Sequence, residues 1–270
     1  MMRIVAFVQN LSLDITAGAL ISCLFVGSVF GVEIDNHMLT GLGIAIWLIY
    51  TFDHLRDARL SSFRPVNPRH AFHYDHQRVL IGLAALVFCV GIVNAFYLPI
   101  ETIRLGVLLA MVSGFYFLYI HKSKKQWSKE LLAALVYTAG VFTAPFSLLE
   151  SSSWTYWVIM FQFFLMAYAN LMIIPLYELE IDQEDGANSL VRNLGLKKAE
   201  LAIRLILGLN MLIILVFLGV LGQEERSQLI FMAMMLPLLF LLSKHAFFKK
   251  GMLYRIICDG IFFLPAIYFL

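Results

Sequence analysis

Nine apolar runs, each near the length that carries a helix across a bilayer, constrain this chain more than any other feature. They fall at about residues 4–30, 38–52, 79–98, 103–120, 131–149, 154–176, 199–222, 228–243 and 253–270. An α-helix rises about 1.5 Å per residue, so about 20 apolar residues cross the ~30 Å of bilayer hydrocarbon. The runs are continuous and do not alternate in polarity, which excludes a transmembrane β-barrel. The predicted fold is therefore all-α: a polytopic membrane protein with nine transmembrane helices in a single transmembrane domain over residues 1–270. The first run has no small-residue cleavage site behind a short apolar region, so it reads as a membrane helix and not a removable signal.

The charged residues, 14% of the chain, test this count. If all nine runs span, the loops after the second, fourth, sixth and eighth share a side with the N-terminus. Of the 20 Lys and Arg residues, 18 lie in those loops, at their margins, or at Arg3. Only Arg104 and Arg226 fall on the other side, where the short connections carry Glu33, Asp35, Glu101, Glu150, Glu224 and Glu225. Basic loops stay cytoplasmic. The expected location is thus a bacterial inner (cytoplasmic) membrane, with the N-terminus in the cytoplasm and the C-terminus outside. A net charge of +2 gives no reason to expect a nucleic-acid partner, whereas membrane lipid is an obligatory one. Cys23, Cys89 and Cys258 are scattered through apolar runs and suggest neither a disulfide framework nor a zinc site.

Carboxylates crowd the ends of two of the runs. Glu178, Glu180, Asp182, Glu184 and Asp185 follow the sixth directly, and Asp53 and Asp57 end the second. Asp53 and Asp57 are four apart, hence on one helical face; Glu178 and Asp182 repeat the spacing, with Asp185 about a turn further on. Like charges so placed repel, and each pair is a cost unless a cation sits between its members. Hard oxygen ligands grouped in this way suit Mg²⁺, which is commonly shared between carboxylates and substrate phosphates. The bland alternative is a pair of solvated loop mouths, and the matching positions and spacing weigh against it. Asn170, two turns before Glu178, and Asp259, an acid inside the last run, are expected to line the same cavity, because intramembrane polar groups face a polar interior. Asp14 is expected nearer an interface. His54, His70, His73 and His76 gather after the second run and read as loop residues.

Glu178-x-x-x-Asp182-x-x-x-Gly186-x-x-x-Leu190, closing at Leu194-Gly195, resembles the second aspartate-rich motif of the UbiA superfamily of intramembrane prenyltransferases. Asp53-x-x-x-Asp57 is similar to the carboxyl half of the first. The order of parts agrees over nearly the whole chain: first motif after the second run, an Arg64-Pro65 pair, a basic loop after the fourth run, second motif after the sixth. Two departures stand out, Ile49 where the family's first motif has Asn and Glu178 where its second has Asp. The resemblance implies helices around a central cavity and a Mg²⁺-dependent reaction on an isoprenyl diphosphate. The metal ligands implied are Asp53, Asp57, Glu178, Asp182 and Asp185, the first four being catalytic.

Basic residues on the same face would hold the departing diphosphate: Arg64, Lys122 and Arg192 first, then Arg69, Lys124 and Lys125. Tyr50, Tyr119 and Tyr177 are placed where aromatic faces would border the cavity and shield a carbocation, although aromatics are also ordinary packing in membrane helices. Three readings follow. The first is transfer of the isoprenyl group to a lipophilic acceptor, an aromatic ring by preference. The second is a terpene cyclase that needs no acceptor. The third is a non-enzymatic cation-binding or transport protein, which would place its charges at mid-membrane.

Overall fold

The computed structural model describes residues 2–60, 63–122, 129–185, 189–221 and 225–270, and among them the only regular structure is helical. In chain order the helices are α1 Met2–Asn10, α2 Leu13–Phe30, α3 Asn36–Leu60, α4 Pro68–Asp75, α5 Gln77–Ala95, α6 Ile100–Lys122 and α7 Lys129–Ser147. There follow α8 Trp154–Glu184, α9 Leu190–Leu194, α10 Leu196–Val216, α11 Glu225–Ser243, α12 His245–Lys249 and α13 Leu253–Gly260. Among the described residues seven helices are long and apolar enough to cross a membrane: α2, α3, α5, α7, α8, α10 and α11. The expected fourth span corresponds to α6. The expected ninth is broken into α13 and a 3₁₀ segment, Ile261–Phe269, which contains Pro265.

One expected helix is two. The first apolar run breaks at Ser12, whose φ of 55° is left-handed and cannot continue an α-helix. Asn10, Ser12 and Asp14 bring polar groups into that stretch, and α1 packs on α4 instead of extending α2, with Phe7 meeting Phe72 edge-on at 6.3 Å. The acidic ends behave oppositely. Both α3 and α8 run straight through their carboxylates, so the pairs Asp53/Asp57 and Glu178/Asp182 do sit one helical turn apart. At 31 residues α8 is about 46 Å long, well beyond the ~30 Å of hydrocarbon, which leaves its acidic last turns at the membrane boundary.

The core is aromatic and shared by the central helices. Phe25 of α2, Phe142 of α7, Phe163 of α8 and Phe231 of α11 are fully buried, and Phe163 packs 5.7 Å from the ring of Phe262 in the terminal segment. The outer faces of α5 and α10 instead expose Val79, Leu86, Phe88, Leu201, Leu205 and Leu212. Apolar surface on that scale is not stable against water and identifies an integral membrane protein. Within the bundle, Gln162 of α8 and Gln228 of α11, both fully buried, exchange reciprocal amide hydrogen bonds of 2.8 and 3.0 Å. Gln162→Leu would strand the partner amide away from water. It is expected to destabilise the protein by about 1–2 kcal/mol, read as a lower melting temperature in detergent, with much of the loss recovered in Gln162→Leu/Gln228→Leu. Equal loss in single and double variants would show that the amides do not depend on one another.

Candidate active site

The two acidic helices meet across one cavity of about 210 Å³. Tyr50, Asp53, His54 and Asp57 line it from α3, Lys129, Glu130 and Tyr137 from α7, Asn170, Glu178 and Asp182 from α8, and Asn67, Arg69 and His70 from the α4 region. Arg255 and Asp259 of α13 close the far wall. Of the sequence-predicted residues, Asp53, Asp57, Glu178, Asp182, Tyr50, Asn170 and Asp259 are therefore brought together.

The first acid pair is neutralised from within the protein. The Lys129 ammonium lies 3.1 Å from Asp53 Oδ2 and also donates to Asp57 Oδ2, and Arg56 Nη2 lies 3.1 Å from Asp53 Oδ1 and 2.8 Å from Asp57 Oδ1. Two cations bridge the aspartates, and both are side chains. The second pair is divided. Glu178 is buried, and its Oε1 accepts from Arg255 Nε at 2.7 Å and from the Tyr254 hydroxyl at 3.0 Å, while its Oε2 accepts from Asn67 Nδ2 at 3.0 Å. Asp182, one turn on and half-buried, faces the cavity without a hydrogen-bond or ion-pair partner among the described residues.

Other expected residues lie elsewhere. Asp185 spends both oxygens on the backbone N–H groups of Val66, at 2.7 Å, and Asn67, at 2.9 Å. It ties the loop after α3 to the end of α8 and does not line the cavity. Arg64 is exposed and pairs with Asp75 at 2.7 Å, a contact that holds the Asp75 carboxyl below the ordinary carboxylate range. Arg192 is exposed on the surface beside Lys197 and Lys198. Tyr177 donates its hydroxyl to the Leu241 carbonyl at 2.6 Å and stacks between His245 and Tyr254, so it joins α8 to the C-terminal helices instead of bordering the cavity. The side chains of Tyr119 and Lys122, together with Lys124, Lys125 and Gly186, lie outside the described residues. Of the basic candidates Arg69 does line the cavity, and the structure adds Lys129 and Arg255 as cavity cations. Arg69 pairs with Asp259 at 3.4 Å.

The histidines are not a free loop cluster. His54 lies between His70 and His73 with its ring tilted to both, at centroid distances of 5.9 and 5.0 Å, and His54 and His70 line the cavity. Burial pushes the imidazoles of His70 and His73 below their ordinary range, and for His70 the neighbouring Asp57 partly opposes the shift.

A divalent cation fits this lining. Six carboxylates (Asp53, Asp57, Glu130, Glu178, Asp182 and Asp259) line the cavity with three cations (Lys129, Arg69 and Arg255), and Arg56 behind the first pair adds a fourth, so the acids still outnumber the cations. One oxygen of Glu130 and the amide oxygen of Asn170 are buried without a hydrogen-bond partner. No three of His, Cys, Asp or Glu among the described residues converge into an all-protein cage. Mg²⁺ does not need one, since it takes one or two carboxylates, keeps waters and completes its shell with substrate phosphate. If Lys129 holds the cation position in the resting protein, Lys129→Met is expected to tighten Mg²⁺ binding without substrate by at least about tenfold. Calorimetric titration would measure this, and an unchanged affinity would show that the ammonium and the metal do not compete.

No protein-family model and no curated protein sequence matches the chain. Solved structures do. A UbiA homologue from Aeropyrum pernix K1, in its apo form, aligns with a TM-score of 0.70 at 14% identity, covering 96% of this chain and 97% of that one. A UbiA homologue from Archaeoglobus fulgidus bound to GPP and Mg²⁺ aligns with a TM-score of 0.65 at 12% identity, covering 97% and 99%. A structure concerning digeranylgeranylglyceryl phosphate synthase in membranes aligns at 0.56 and 13% identity, covering 99% of each chain. At such identities the likeness is one of architecture, and it extends from end to end of the chain: this is a membrane protein with the fold of the UbiA superfamily.

Proposed function

We propose that the protein is an intramembrane, Mg²⁺-dependent prenyltransferase that moves an isoprenyl group from an isoprenyl diphosphate to a lipophilic, aromatic acceptor. The observation that carries this reading is the meeting of Asp53, Asp57 and Asp182 in one cavity with Lys129, Arg69 and Arg255 at a helix-end boundary of the membrane. The Archaeoglobus homologue of the same fold, bound to GPP and Mg²⁺, supports it. Charges at helix ends also weigh against an ion path, which would set them at mid-membrane.

In this reading Mg²⁺, when bound, would supply Lewis-acid stabilisation of the leaving diphosphate. Asp53, Asp57 and Asp182 are the residues that would hold it, and Glu178 positions Arg255 and Asn67. Arg69, Arg255 and Lys129 would grip diphosphate oxygens by charge-assisted hydrogen bonds. The allylic C–O bond breaks with its electron pair going to the diphosphate, the carbon bonds to the acceptor ring, and the ring loses a proton. Tyr50, Tyr137 and Phe262 line the cavity and keep water from the allylic cation while presenting aromatic faces to it. By the charge of its loops, the site faces the cytoplasm.

Purified protein incubated with geranyl, farnesyl or geranylgeranyl diphosphate and Mg²⁺ is expected to release diphosphate only when a quinone precursor is added. Release without an acceptor, with a cyclic hydrocarbon as product, would replace transfer by cyclisation. No turnover and no Mg²⁺-dependent donor binding would leave a cation-binding protein.

A further inference from the structure

The acid cavity has two tiers. Asp53, Asp57, Lys129, Glu178 and Asp182 stand at its helix-end mouth, and the lining continues inward to Tyr137 of α7 and Asn170 of α8. Tyr137 follows Lys129 by eight residues and Asn170 precedes Glu178 by eight, so each lies about 12 Å deeper along its helix. Both belong to membrane spans. The floor they form is aromatic on one side, where Phe262 meets the Tyr137 ring edge-on at 5.1 Å and Phe163 stacks on it at 6.1 Å.

Two polar atoms at this floor are unspent. The Tyr137 hydroxyl and the amide oxygen of Asn170 have no hydrogen-bond partner among the described residues, and the two residues are only 4% and 3% exposed. Unpaired polar groups at hydrocarbon depth are costly. An isoprenyl chain, which has no polar atom beyond its diphosphate, would leave them unpaired, so the floor calls for a polar head and not for the donor's tail.

The groups already there narrow the chemistry of that head. An amide oxygen can only accept, so the head must donate. The charged neighbours of the Tyr137 hydroxyl include two acids, Asp14 and Asp259, which would repel a carboxylate. Each cation of the lining already faces an acid, Lys129 on Asp53 and Asp57, Arg69 on Asp259 and Arg255 on Glu178. A quinone carbonyl could accept from Tyr137 but has nothing to give Asn170. A ring hydroxyl does both, donating to the amide oxygen and accepting from the tyrosine.

We infer that Tyr137 and Asn170 select a neutral phenolic acceptor, holding its hydroxyl at the cavity floor with the rest of the ring turned toward the mouth. The inference rests on the transferase reading and adds which acceptors the site takes: phenols and hydroquinols ahead of quinones and aromatic carboxylates.

The test uses the full-length protein in lipid nanodiscs, with binding to empty nanodiscs subtracted. The probes are 1-naphthol, naphthalene and 1-naphthoate, which share one ring system and differ in the head, and equilibrium dialysis without donor or Mg²⁺ measures their binding. In the native protein 1-naphthol is expected to bind at least about tenfold more tightly than either of the others. Tyr137→Phe and Asn170→Leu should each remove most of that margin and raise the KM of a phenolic acceptor at least about tenfold, with Mg²⁺-dependent donor binding unchanged. Naphthalene or 1-naphthoate binding as tightly as 1-naphthol to the native protein would overturn the inference without recourse to any variant. A margin that survives in both variants would do the same. Dialysis requires no turnover, so the two readings fail separately. The expected ranking with no diphosphate release from any donor supports the floor and sinks the transferase reading, whereas release that is fastest with aromatic carboxylates sinks the inference and leaves transfer standing.

Discussion

Asp182→Ala is expected to lower turnover about 10³-fold while leaving the fold intact. A metal acting as a Lewis acid contributes several kcal/mol to the transition state, and about 4 kcal/mol corresponds to 10³ at 1.36 kcal/mol per tenfold. Asp182 is the cavity acid with no partner among the described residues, so its removal should change stability by no more than about 0.5 kcal/mol. Asp57→Asn should lose turnover to a similar extent and also lower the melting temperature, because Arg56 and Lys129 both rest on that carboxylate. The measurements are diphosphate release under saturating Mg²⁺, Mg²⁺-dependent donor binding, and thermal unfolding in detergent. Activity within tenfold of the parent in both variants would refute the metal assignment for this pair of acids.

The membrane spans and both acid pairs are legible in the sequence because each depends on local spacing. Continuous apolar runs give helices, and residues four apart on a helix share a face wherever that helix ends up. What neutralises the acids is local only for Arg56, which lies within a turn of Asp53 and Asp57; the other partners are distant in sequence. Glu178 is bonded by Asn67, 111 residues before it, and by Arg255, 77 residues after it. Lys129 belongs to a basic loop whose charge topology alone explains, so nothing in the sequence marks it as the second cation, beside Arg56, that bridges Asp53 and Asp57. Arg64 misleads for the converse reason: a basic residue near a motif has the right address but satisfies itself locally on Asp75. The break at Ser12 is marked only by Asn10, Ser12 and Asp14 inside a long apolar run, and the packing of α1 against α4 shows why the chain turns there. Tyr177 has the period of a cavity residue, yet its hydroxyl needs a buried acceptor and finds the Leu241 carbonyl.

Arg255→Met is expected to be the most destabilising single substitution in the site. The pair it breaks is buried on both sides, with side-chain exposures of 8% for Arg255 and 7% for Glu178. Removing one partner of a buried ion pair costs about 3–5 kcal/mol, because the charge left behind can neither reach water nor find another counterion. The hydroxyl of Tyr254 and the amide of Asn67 would still donate to Glu178, which keeps the loss toward the lower end. At roughly 2–4 °C per kcal/mol for a chain of this scale, the melting temperature should fall by about 6–15 °C. Glu178→Gln/Arg255→Met removes the stranded charge and should recover more than half of that drop, since the cost lies in leaving one ion alone and not in losing the pair. The same double variant separates two roles for Glu178. Its three donors leave little free capacity on the carboxylate, so a clasp that aligns α4, α8 and α13 predicts turnover within about tenfold of Arg255→Met alone. A further loss near 10³-fold with stability restored would instead make Glu178 a metal ligand of the same rank as Asp182.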